Sequence, residues 1–96
     1  MPFTIIIKPT AEGDILYYRV NEQRTIISGI KIHLLAQPDV ASNRKKQLRL
    51  NTLAPWELRI DIYRVFYELH GAMIFVVAVG HKVHNKLYIR GKEVDL

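Results

Sequence analysis

Residues 55–90 read PWELRIDIYRVFYELHGAMIFVVAVGHKVHNKLYIR, a series of apolar runs of strand length separated by turn residues. Alternation with a period of two sets Trp56, Leu58 and Ile60 on one side of the first run and Glu57, Arg59 and Asp61 on the other. In the second, Arg64, Phe66 and Glu68 oppose Tyr63, Val65 and Tyr67. Residues 74–79 are apolar on both faces, as suits a central strand covered on both sides. In the last run Lys86, Tyr88 and Arg90 separate from Leu87 and Ile89. Strands are therefore predicted at 56–60, 63–69, 74–79 and 86–89, with turns at Asp61-Ile62 and His70-Gly71. One side of this sheet is to be buried, and the other, basic and aromatic, suits phosphates and bases.

Upstream, residues 3–8 read as a strand ended by Pro9. Thr10 is placed to cap a short helix from Ala11, with Glu12 and Asp14 in its first turn. Asn21 is placed to cap a second helix, in which Ile26, Ile27, Ile30, Leu34 and Leu35 form an apolar stripe. Gly29 weakens that helix slightly, and Gln37-Pro38 ends it. Residues 38–46 read as a solvated loop. The expected architecture is α+β in one domain spanning 1–96: a strand, two helices and an antiparallel meander, with both helices on one face of the sheet.

Composition narrows the partners. The 96 residues are 49% hydrophobic and 24% charged, a balance that favours a folded domain over disorder. There is no cysteine, which removes disulfides, thiolate metal sites and thiol catalysis and fits a reducing cytoplasm. The run Ile5-Ile6-Ile7 is too brief for a signal core or a membrane span. The net charge is +5, and between residues 44 and 92 ten cations face only Glu57, Asp61 and Glu68. Such density favours an anionic partner, because releasing counterions from a phosphate backbone gives sequence-independent affinity.

Two segments, NRKKQLRLNTLAPWELRIDIYRVFYEL and AVGHKVHNKLYIRGKEVDL, together resemble the RelE/ParE superfamily of bacterial toxins from toxin–antitoxin pairs. The former is similar to that family's basic loop, aromatic-led strand and Tyr-Arg strand; the latter is similar to its Val-Gly-His-basic strand and closing tail. The resemblance implies a cognate acidic antitoxin. It also implies either a ribosome-dependent endoribonuclease that cuts mRNA in the decoding site of the 70S ribosome without metal or cofactor, or, as in the ParE branch, an inhibitor of DNA gyrase. A third possibility is a relative without toxicity that binds RNA or antitoxin. Fold alone does not choose among these.

Cleavage of RNA needs a base for the 2′-hydroxyl, cations for the charge that develops on phosphate, and an acid for the leaving 5′-oxygen. By the resemblance, Arg64 is placed to hold the scissile phosphate, a task suited to a guanidinium fork. Lys82 stands where RelE carries arginine. Arg59 stands where RelE carries a strand lysine, and as an arginine it serves as a clamp and not a base. His84 precedes Tyr88 by four, as a catalytic histidine of the YafQ branch precedes an aromatic, and imidazole exchanges protons near neutrality. Tyr88 is a base-stacking candidate. Arg44, Lys45, Lys46, Arg49, His81, Lys86 and Arg90 complete the predicted RNA-binding set. Trp56 reads as core, and His33 and His70 as structural.

Overall fold

Every predicted strand forms, and two short ones join them. A computed structural model describes residues 2–48 and 53–95. In chain order the elements are β1 (Thr4–Ile7), α1 (Pro9–Leu16), α2 (Val20–Leu34), β2 (Lys45–Gln47), β3 (Trp56–Ile60), β4 (Tyr63–His70), β5 (Met73–Val83), β6 (Lys86–Ile89) and β7 (Lys92–Val94). Strands β2 to β7 form an antiparallel meander, and β1 adds in parallel to β5, pairing Thr4–Ile7 with residues 73–76. Both helices lie on one face, where Ile26, Ile30 and Leu34 of α2 meet Trp56, Leu58, Val65, Tyr67, Ile74 and Val76.

Strand β5 is long enough to take two neighbours on one edge. It pairs with β1 through Val76 and with β6 from His81 onward, which leaves a gap between them. Helix α1 fills that gap. Thr10 was expected to cap α1, but the helix starts two residues earlier with Pro9 at its first residue, and the Thr10 hydroxyl instead donates to the Val77 carbonyl. Asp14, 5% exposed, accepts from the Val79 backbone N–H at 3.0 Å. The buried carboxylate thus satisfies a strand donor that no neighbouring strand reaches.

Helix α2 begins at Val20, so Asn21 lies inside it and not at its cap. Gly29, expected to weaken the helix, is where Ile60 of β3 packs closely against it. A Cβ there would sit 2.5 Å from Cδ1 of Ile60. Its cost to helix propensity is offset by allowing the sheet to close on the helix. Leu35 is half exposed and does not extend the apolar stripe.

The segment after α2 is less solvated than its polarity suggests. Pro38 is fully buried, and its carbonyl accepts from the Tyr67 hydroxyl at 2.8 Å. Lys45 faces the helix side, opposite Leu58, and its ammonium donates to the carbonyls of Ala36 at 3.0 Å and Gln37 at 2.8 Å. A cation at the negative end of a helix satisfies carbonyls that have no partner within it. Among the described residues no helix is long and apolar enough to cross a membrane.

Candidate RNA-binding face

The face opposite the helices has two halves. Phe66, Ala78, Leu87 and Ala54 form a second apolar cluster, with Ile89 and Val94 packed against it. This explains why β5 is apolar on both sides: helices cover one, and the C-terminal hairpin β6–β7 covers part of the other. Gly80 makes the cover possible, because a Cβ there would collide with the Tyr88 carbonyl oxygen and lie 2.9 Å from Ile89.

The other half is a depression of about 170 Å3 lined by Asn43, Arg44, Lys46, Glu57, Arg59, Arg64 and Lys82. Its placement follows from register. Arg59 and Arg64 are direct cross-strand partners, as are Lys46 and Glu57, and Arg64 sits opposite Gly80. Two guanidiniums side by side repel, and their mutual field is a ready attraction for an anion. The structure therefore brings Arg59, Arg64, Lys82, Arg44 and Lys46 together.

Arg64 is the most constrained of them, its side chain only 13% exposed. Its Nε lies 3.2 Å from Glu57 Oε1, and its Nη1 donates to the carbonyls of Asp61 at 2.9 Å and Tyr63 at 3.0 Å. Burial, aided by Arg59, pushes the guanidinium below its ordinary pKa, while Glu57 opposes the shift. The left-handed Asp61, φ 52°, turns the β3–β4 corner so that its carbonyl points back at Arg64.

Other predicted residues lie elsewhere. Because His81 pairs with Tyr88 across β5 and β6, both emerge on the helix side, with rings stacked 5.7 Å apart. The hairpin turns its apolar residues Leu87 and Ile89 to the open face, so Tyr88 and Lys86 take the reverse one. Lys86 lies 3.9 Å from Glu93. Arg90 is an anchor: its Nε donates to Asp14 Oδ1 at 2.7 Å and its Nη2 to the Thr10 carbonyl, tying the hairpin to α1. His84 is exposed at the β5–β6 tip, where it and Asn85 are both left-handed, with φ of 51° and 67°. Lys45 is turned to α2, as above. Arg49 falls outside the described residues.

The sequence reading missed Glu57 and Asn43 in the depression, and on the other side a cluster of tyrosines. Tyr18 and His81 share a hydrogen bond of 2.7 Å between hydroxyl and Nδ1, and Tyr18 packs edge-on against Tyr17, Tyr63 and His81. Only the apolar surroundings of Tyr17-Tyr18 hinted at it, since the partners are distant in sequence. Burial pushes Tyr18 and Tyr67 up. Burial and the 2.7 Å bond donated to Glu22 push Tyr63 up from 10 to about 12. A raised phenol pKa means the folded state favours the protonated form, so this stability is complete below pH 10 and is lost as pH climbs toward 12. Alkaline titration followed together by tyrosinate absorbance and circular dichroism is expected to show these tyrosines ionising only with unfolding. Ionisation of all five tyrosines near pH 10 with the fold intact would contradict the burial described.

Similarity to known proteins is structural. The fold matches that of a chain in the crystal structure of the toxin–antitoxin complex RelBE2 from Mycobacterium tuberculosis, with a TM-score of 0.73 and 19% sequence identity. The match covers 85% of this chain and all of the other. No sequence-family profile matches the chain, and no curated protein does. The α+β architecture expected for residues 1–96, with two helices on one face of an antiparallel meander, is thus present.

Proposed function

We propose that this chain is the toxin of a toxin–antitoxin pair and acts in the cytoplasm as an endoribonuclease on ribosome-bound mRNA. The observation that carries the reading is the depression on the open face, where Arg59, Arg64 and Lys82 converge on a fold shared with a toxin–antitoxin complex. Arg64 is rigidly held by backbone carbonyls, so it meets a phosphate without first being ordered. Arg59 adds charge from the facing strand. Lys82 supplies a third cation and, unlike the arginines, a proton it can surrender to a leaving oxygen. Arg44 and Lys46 extend the positive surface along the path of a backbone.

The same charge suits an acidic antitoxin, which would neutralise the face while bound. Purified protein added to 70S ribosomes carrying a defined mRNA is expected to produce new 5′ ends in the decoding site, mapped by primer extension. Growth arrest in expressing cells without such ends would sink the ribonuclease reading. Inhibition of purified gyrase supercoiling in that case would point to the gyrase alternative.

A further inference from the structure

We infer that Glu57 is the general base of this site, taking the proton from the 2′-hydroxyl of the nucleotide to be cut. The inference rests on the ribonuclease reading and assigns it a residue that neither the spacing of motifs nor the resemblance supplied.

The chemistry leaves few candidates. Among the described residues lining the depression there are five cations, an asparagine and one carboxylate, Glu57. Arginine does not give up its proton near neutral pH, which removes Arg44, Arg59 and Arg64 as bases. His84 is at the hairpin tip and does not line the depression, and Tyr88 faces the other way. A base must stand beside the phosphate-holding group, and Glu57 lies 3.2 Å from Arg64 Nε.

Its setting is suited to the task. Glu57 sits in the middle of β3, hydrogen-bonded on both edges, with Lys46 and Phe66 opposite it. Its side chain is 10% exposed, so its charge is little screened by water. Arg64 Nε orients the carboxylate, as a third group orients the base in nucleophile–base pairs. Arg64 Nη1 stays on the carbonyls of Asp61 and Tyr63, which holds the guanidinium beside the carboxylate as it meets a phosphate.

In the step itself, the Glu57 carboxylate accepts the 2′-hydroxyl proton as the 2′-oxygen bonds to phosphorus. The bond from phosphorus to the 5′-oxygen breaks, its electron pair goes to that oxygen, and the oxygen is protonated by Lys82 or water. The products are a 2′,3′-cyclic phosphate and a 5′-hydroxyl. Glu57 returns its proton to solvent. The competing account makes Glu57 only a counter-charge that relieves the Arg59–Arg64 repulsion.

Cleavage on programmed ribosomes, measured across pH for wild type and E57Q, separates the two. General-base loss is expected to slow the single-turnover rate by about 100- to 10,000-fold. The acidic limb of the wild-type pH profile is expected to vanish, while ribosome affinity holds or rises because a negative charge has gone. E57D, which keeps the carboxylate but draws it back, is expected to retain the acidic limb at a rate lowered at least tenfold, and it carries the test where E57Q melts below the assay temperature. Wild-type rates in either variant, or an E57Q that keeps the acidic limb, overturn the base role and leave the ribonuclease reading standing. A wild type that cuts nothing overturns both.

Discussion

Cleavage of ribosome-bound mRNA is expected to fall by about 100- to 1,000-fold in Arg64→Ala, the scale of losing one preorganised donor to a charge that grows in the transition state. The loss is expected in the rate at saturating ribosomes, since Arg44, Arg59, Lys46 and Lys82 still attract the RNA. The fold is expected to suffer as well. Arg64 holds the carbonyls of Asp61 and Tyr63, and its removal leaves Glu57, 10% exposed, without its 3.2 Å partner. Stranding such a buried charge costs about 3–5 kcal/mol. Arg64→Lys separates the effects: it keeps the positive charge near Glu57 but cannot span two phosphate oxygens with a planar fork. A melting temperature near wild type with a rate still far below it is the expected pair of results. Full activity in Arg64→Ala would remove the residue from the site.

The second large effect is on stability and lies outside the depression. Gly80→Ala puts a methyl group into the Tyr88 carbonyl and against Leu87 and Ile89, which cover the open face. A backbone oxygen cannot rotate aside, so β6 must move, and overpacking of this kind costs about 1–3 kcal/mol or more. In a domain of this length that lowers the melting temperature by roughly 5–20 °C. Gly71 supplies the contrast. A Cβ there meets nothing within 4 Å, and its φ of 60° is one that asparagine tolerates. Gly71→Asn is expected to melt within a few degrees of wild type. Equal losses at both positions would show that flexibility, and not the closeness of β6, is what Gly80 supplies.

The parts of the fold legible in the sequence are those decided by local alternation. Trp56, Leu58 and Ile60 face inward and Arg59 outward because a period of two leaves no other arrangement once one face is buried. Arg64 follows by the same logic, since Tyr63, Val65 and Tyr67 are buried against the helices. Alternation along β6 also correctly divided Leu87 and Ile89 from Tyr88. It could not say which group faced the helices, because the open face has an apolar cluster of its own. Tyr88 consequently leaves the predicted site for the helix side.

Arg90 and Lys45 lie apart from the depression for a different reason. Each is a cation in a basic stretch, and nothing nearby in sequence distinguishes an RNA contact from an anchor. Their partners, Asp14 and the carbonyls of Ala36 and Gln37, are found only in three dimensions. Glu57 is visible in the sequence only as an outward-facing acid beside Arg59, and its standing as the one carboxylate among the described residues of the depression depends on β2, β3, β4 and β5 being assembled.

The parallel seat of β1 beside β5 sets the order in which this chain can mature. Ile5 pairs with Ile74, so β1, made before β5, has no partner until β5 is made. Closing a loop of that length is entropically slow, whereas the hairpin β3–β4 needs only the Asp61-Ile62 corner. Arg59 and Arg64 are therefore expected to be juxtaposed early, on a local hairpin, while α1 waits for both β5 and the Arg90 anchor. During biogenesis this arginine pair is expected to precede the completed globule. A nascent chain can attract anions before it is a finished protein.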